Sequence, residues 1–515
     1  MSVEYDHPAE LLSAGASRRT FLRAAAISAA GAALAACAPR AAGDVQTKVL
    51  RVAWGGAPAT LDPLTASADV EIAFLNAVYD YLIDVDSQSN LVPRLATDWA
   101  VSDDGLIYTL TIAEGVKFHD GSDLTLGDIL WTFDRLQSDG PTADLYARVA
   151  SVESGEGNTI IFKLTEPNPD FLYDLSDNHA FILKADALNI GEEFNGTGPF
   201  KLEEYTLEDR AIFKANPDYF GGAPGLDLEF IFFADAEAAA NALRDGSVDM
   251  LLRMDTPTFQ AFAGQEGFQA INIPTNGHDL IRLRADRGPG QNELVRQAFK
   301  HATNRQEIFE QVQLGYGAVG RDTPIGPLYG PFYTEDIPLP EHDPQKARDL
   351  LTQAGYPDGL EMKLYVPNSG SRPDLAQKLA AQWAEAGINV TIELQEEAQY
   401  YADDGWLEVD LGITGWGSRP TPQFYLNVAY KTGAQWNEAH FSDPELDDLI
   451  DQAAVTVDEV ERAAIYRDIQ RVLIERGPVL IPYFFAQFGV YAAGVSGVNL
   501  HPFAGRTRFD GATTA

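Results

Sequence analysis

The tightest constraint on the fold lies between residues 361 and 394. E-M-K-L-Y-V at 361–366 alternates apolar and polar residues, as a half-buried strand does. Leu375, Leu379 and Trp383 then recur at helical spacing, Gly387 ends that helix, and V-T-I-E-L at 390–394 alternates again. Two strands separated by a helix cannot be joined as a hairpin. They pair in parallel through a right-handed crossover.

Similar signals recur along the 515 residues, a length of several ordinary domains. Val49–Trp54 is a strand-like run closed by Gly55 and Gly56. L-I-Y-T-L-T-I at 106–112 and T-I-I-F-K-L at 159–164 alternate between Asp-Gly or Gly-Asn turns. Thr125 with Asp128 caps a helix through I-L-W-T-F-D-R-L, and Asp343-Pro344 opens another that Gly355 stops. Ser442 with Pro444 and Glu445, and Asp458 with Glu461, read as further capping boxes. The expectation is a mixed α/β protein of more than one lobe.

The first 37 residues stand apart. Arg18 and Arg19 sit in S-R-R-T-F-L, and a thirteen-residue apolar run follows up to Cys37. Such a run spans about 20 Å as a helix, short of the roughly 30 Å of a bilayer core. It reads as a targeting segment rather than an anchor helix. The arginine pair resembles a twin-arginine export signal, and Leu34-Ala35-Ala36-Cys37 resembles a bacterial lipobox. The expectation is cleavage before a lipidated Cys37, with 38–47 as a tether and the chain held on a membrane by its lipid.

Charge and missing motifs exclude several functions. With 76 acidic and 37 basic residues the net charge is −39, which repels a phosphate backbone and argues against nucleic acid as partner. One cysteine permits neither an intramolecular disulfide nor a cysteine zinc site. The closest two of the eight histidines, His278 and His301, are 23 residues apart, and H-E-x-x-H is absent. There is no G-x-S-x-G, P-loop or G-x-G-x-x-G. The residues single out no catalytic group, metal or cofactor.

Several segments together carry a family resemblance. They are G-G-A-P-A-T-L-D-P-L (55–64), L-V-P-R-L-A-T-D-W (91–99), G-V-K-F-H-D-G-S-D-L-T (115–125), G-T-G-P-F-K-L (196–202), N-P-D-Y-F-G-G-A-P (216–224), V-R-Q-A-F-K-H-A (295–302) and D-P-Q-K-A-R-D-L-L-T-Q-A-G-Y (343–356). The chain resembles the extracellular solute-binding proteins of family 5, which serve oligopeptide, dipeptide and nickel ABC importers. That resemblance implies a two-lobed periplasmic-binding-protein fold with a hinge and an extra inserted domain. Lobe I would take 45–76, 196–280 and 489–515, the insertion 77–195, and the closing lobe 281–488. It also implies a monomeric receptor that delivers a peptide or peptide-like solute to permease subunits. A nickel–chelate or haem receptor is the alternative, and a secreted hydrolase is a weaker one.

In that family the ligand lies between the lobes. The most informative stretch is D-L-G-I-T-G-W-G-S-R-P-T-P-Q-F-Y-L at 410–426, a strand running into a proline-braked loop. Peptide-binding relatives follow the tryptophan with an aspartate that grips an ammonium. Here Trp416 is followed by Ser418 and Arg419. Arginine only donates hydrogen bonds, so it suits a carboxylate or phosphate and repels an ammonium. The arginine that dipeptide-binding relatives place near the end of 361–366 is replaced by Val366, with Asn368 nearby. Trp54, Gly56, Trp436 and Asn437, the Asn276/His278 turn, and Tyr400 and Tyr401 complete the residues expected at the cleft.

Overall fold

A computed structural model describes residues 48–138, 142–143, 145–402 and 405–515. Arg18, Arg19, Cys37 and the tether lie outside the described residues. Among the described residues, no helix is long and apolar enough to cross a membrane.

One twisted sheet runs through the whole described body. Its strands follow the spatial order Ile388–Gln395, Leu360–Pro367, Leu411–Trp416, Phe268–Leu283, Tyr483–Ala492, Met250–Leu252, Val49–Gly55, Asp227–Phe233, Arg210–Ala215 and Phe200–Thr206. The crossover unit pairs in parallel, with Leu364 beside Ile392. Val49–Gly55 is also parallel to both its neighbours.

Two strands in the middle belong to both halves of the molecule. Residues 268–274 pair with 486–492, register is lost between Pro274 and His278, and 278–283 then pair with 411–416. The break comes where strand Phe268–Leu283, still paired with Phe484 through His278, gains Leu411–Trp416 as a second neighbour. Proline supplies no N–H to the ladder there, and Gly277 allows close approach of backbone.

Each half has its own core. In the first, Trp54, Phe74, Phe213 and Phe230 pack in a cluster that continues through Phe133 and Phe162. That continuation lies under a separate four-stranded antiparallel sheet of Ala96–Val101, Ile107–Ile112, Thr159–Leu164 and Val149–Ser154. In the second half the sheet is covered on both faces. Phe299, Leu379 and Trp383 pack in one cluster, and Leu426, Tyr466 and Leu473 in the other.

Local sequence logic accounts for the element ends. Asp343 accepts from Lys346 N at 2.9 Å ahead of helix Pro344–Gln353, and Asp458 accepts from Glu461 N at 2.9 Å ahead of Glu459–Arg476. One expectation is corrected: the cap of Pro444–Ala453 is Asp443 rather than Ser442. Its carboxylate accepts from both Glu445 N and Leu446 N at 3.1 Å. A carboxylate one residue nearer the helix start reaches two free N–H groups.

The G-T-G-P-F and H-D-G segments lie against each other. Gly198 N donates to Val78 O at 2.8 Å, and His119 N donates to Gly196 O at 2.8 Å. A Cβ on Gly198 would sit 2.5 Å from Val78 O, so only glycine permits this approach. At the other end of the chain, Gly505 N donates to Asp69 Oδ1 at 3.1 Å, and Asn76 Nδ2 donates to Gly505 O at 3.2 Å.

Candidate functional site

The register break brings the loop after Trp416 against the crossing strand. A Cβ on Gly277 would lie 3.2 Å from Trp416 O and 3.3 Å from Ser418 N. Asn276 N donates to Ser418 Oγ at 3.1 Å, and its Nδ2 lies 3.5 Å from Arg419 O. Tyr329 donates to that same carbonyl at 2.9 Å, and Tyr425 donates to Gly417 O at 2.6 Å. The backbone from 417 to 419 is therefore held from three sides.

Two polar groups there are left uncommitted. Asn276 Oδ1 is buried without a hydrogen-bond partner. A buried acceptor in that state costs about 1–3 kcal/mol relative to a paired one. The half-buried Arg419 guanidinium lies over the Phe424 ring, 4.6 Å from its centroid, and donates only to the adjacent Ser418 O at 3.2 Å. Among the described residues no carboxylate lies within ion-pair distance of it.

The first half contributes Asp177 and His179. His179 Nδ1 lies 2.5 Å from Asp177 Oδ1. Burial opposes charge on both, but their mutual attraction wins: the His179 pKa is raised and that of Asp177 is lowered. The Arg419 charge also acts on both, favouring the Asp177 carboxylate and opposing the His179 imidazolium. The arrangement places a free cation of one half within electrostatic reach of a carboxylate–imidazole pair of the other.

The remaining expected residues fall into distinct environments. Trp54 is enclosed in the first-half core, edge-on to Phe230, with Nε1 unpartnered. Gly56 follows it at φ +93° and donates to Phe233 O at 2.7 Å. His278 is enclosed by Tyr425 and Phe484, and burial lowers its pKa to about 4. That keeps the ring neutral near pH 7. Trp416 is buried with Nε1 donating to Glu438 Oε1 at 3.1 Å, and Trp436 stands edge-on to it, half-buried. Asn437 is consumed by its own loop, donating to Lys431 O and Phe441 O. Tyr400 is fully buried beside Thr414, whereas its neighbour Tyr401 is exposed. Asn368 is exposed and donates to Gln395 O. Ser418, Arg419 and Asn276 are thus brought together, while Asn437 is turned into its own loop.

Sequence reasoning missed Asp177, His179, Tyr329 and Tyr425, which no local motif marks. It also missed Arg372, six residues past Val366. Arg372 Nε donates to Asp279 Oδ1 at 3.0 Å, and Tyr483 donates to Asp279 Oδ2 at 2.6 Å. Proline after it, opening a helix, was the available signal.

Two halves joined by crossing strands, with uncommitted polar groups at the crossing, are the architecture of a two-lobed solute-binding protein. Comparison with known proteins gives the family. Residues 90–437 match the model of bacterial extracellular solute-binding proteins, family 5 middle region, and the chain belongs to that family. It is 26% identical over 484 residues to the dipeptide-binding protein of Escherichia coli K12, covering 85% of this chain and 90% of that one. It is 28% identical over 450 residues to the glutathione-binding protein GsiB of Salmonella typhi, covering 83% and 87%. The oligopeptide-binding protein AppA of Bacillus subtilis, solved with a nonapeptide, superposes with a TM-score of 0.74 at 25% identity, covering 91% and 100%.

Proposed function

We propose that this chain is the solute receptor of an ABC importer, working as a monomer in the periplasm. It would be exported by the twin-arginine route and tethered through lipid on Cys37. A closing lobe of 281–488 folds over a lobe made of 45–76, 196–280 and 489–515, which carries the insertion 77–195. The solute is peptide-like in size and carries an anionic group for Arg419 and an N–H for Asn276 Oδ1. The observation that carries this reading is the pairing of an unpartnered acceptor and an unpaired guanidinium at the strand crossing. The dipeptide and glutathione relatives support a peptide-like class. A carboxylate meets guanidinium in a two-pronged fork, which an ammonium cannot do.

A thermal-shift panel tests this. It holds peptides with free and blocked termini, glutathione, acidic amino-acid conjugates, sugars, haem and Ni²⁺ chelates. A solute at 100 times its Kd stabilises the folded state by about 2.7 kcal/mol. Carboxylate-bearing peptide-like compounds should raise the melting temperature, and Arg419→Ala should abolish that response. Equal responses to blocked and free carboxylates, unaffected by Arg419→Ala, would sink the anion assignment.

A further inference from the structure

A second contact joins the halves, outside the crossing strands. Asp170 precedes the short helix Phe171–Asp174, whose Phe171 and Leu172 belong to the first-half core. Arg462 lies near the start of helix Glu459–Arg476, whose Tyr466 and Ile469 belong to the second. Arg462 Nη1 donates to Asp170 Oδ1 at 2.7 Å and Nη2 to Oδ2 at 2.6 Å. Its Nε donates to Ala453 O at 2.8 Å. The guanidinium also lies over the Tyr466 ring, 5.2 Å from its centroid. The two side chains are only 5% and 9% exposed.

Asp170 has forgone its local role. An aspartate at the N-cap of a helix ordinarily accepts from that helix's own N–H groups. Here the carboxylate makes no cap bond, and both oxygens go to the other half. Arg462 is likewise unneeded for its own helix start, which Asp458 caps. All these bonds run from protein to protein, so the pair forms without any solute atom. A two-pronged planar fork fixes orientation as well as distance. Close by in the same seam, the turn at Gly105 approaches Val457 so tightly that a Cβ would lie 2.8 Å from Val457 Cγ2.

We infer that Arg462 and Asp170 are positioning residues for solute capture. They form a clasp that fixes the spacing between the half that carries Arg419 and the half that carries the Asp177–His179 pair, a few residues beyond Asp170. The inference rests on the two-lobed capture reading. It adds that the closed arrangement is held partly by the protein itself, so solute supplies only the remainder of the closing free energy.

Paired spin labels on the full chain test it without any solute. Cys37 is the single cysteine, so Cys37→Ser with Leu188→Cys and Leu394→Cys leaves two exposed labelling positions, one on each half. Label-to-label distances are measured in this parent, in Asp170→Asn and in Arg462→Lys, each with its melting curve. Asn keeps the shape of Asp without charge, and Lys keeps the charge without the fork. Both variants should melt near the parent yet show a several-fold larger population of long distances. Arg462→Lys carries the test alone where Asp170→Asn does not fold. Distributions identical to the parent's overturn the clasp. A parent that already samples long distances then preserves the two-lobed reading, whereas a single narrow distribution in all three, unchanged by the panel's solutes, removes that reading as well.

Discussion

Two buried arginine–carboxylate pairs make an instructive contrast. Arg282 and Glu438 both belong to the second half: Nε lies 3.0 Å from Oε2, and Glu438 also accepts from Thr414 and Trp416. Arg462 and Asp170 are nearly as dry, yet each comes from a different half. The internal pair can be broken only by unfolding its core. The pair between halves can be broken by opening, with both cores intact. Similar chemistry therefore serves the fold in one place and the conformational equilibrium in the other.

The largest expected effect comes from the internal pair. Glu438→Ala leaves a fully buried guanidinium uncompensated, and loss of one partner of such a pair costs about 3–5 kcal/mol. Urea unfolding should show it, and a midpoint within error of wild type would erase the contrast. Gly198→Ala comes next, at about 1–3 kcal/mol of overpacking against Val78, read by the same method. Asp170→Asn should cost less stability than Glu438→Ala, because its penalty is relieved once the halves open and water reaches Arg462. If the two cost the same, Asp170 belongs with the fold. Arg419→Ala should shift the urea midpoint by no more than about 0.5 kcal/mol while removing the solute response.

The smallest effect is pH-dependent. The His179 pKa is raised in the fold, so its contribution is full below the unfolded value of about 6.5 and is lost as pH rises through the folded one. The Asp177 value is lowered, so its contribution disappears as pH falls through that value, at the acid end. His179→Asn should therefore be less stable than wild type at about pH 5.5, with the gap narrowing as pH rises through the folded value. A gap that widens with pH would mean that the histidine is not held charged by Asp177.

Legibility from sequence followed the range of the interactions. The crossover at 360–395, the strands at 107–112 and 159–164 and most helix starts were readable, because periodicity and caps act within a few residues. The loop 417–419 was readable as a loop leaving a strand because proline and glycine mark it. The companions of Arg419 were not. Asp177 and His179 lie some 240 residues earlier, and Tyr329 and Tyr425 look like any core tyrosine until the fold shows where their hydroxyls point. His278 illustrates the opposite case, since a turn-like P-T-N-G-H-D conceals a ring enclosed by aromatics. Both kinds of miss arise from contacts made across the sheet rather than along the chain.

The hydrogen bonds from Gly505 to Asp69 and from Asn76 to Gly505 have a bearing on biosynthesis. They span 436 and 429 residues of sequence, and strand Tyr483–Ala492 completes the same side of the sheet beside Met250–Leu252. A ribosome delivers the start of the first half long before the residues that close it. The second half lies almost wholly between and takes Tyr483 and Phe484 of that strand into its cores, so it can settle while its neighbour still lacks the plug around Gly505. The last segment to be translated is therefore the one that lets the first-made half finish folding, and a nascent chain cut short of Gly505 would emerge with one half finished and the other open.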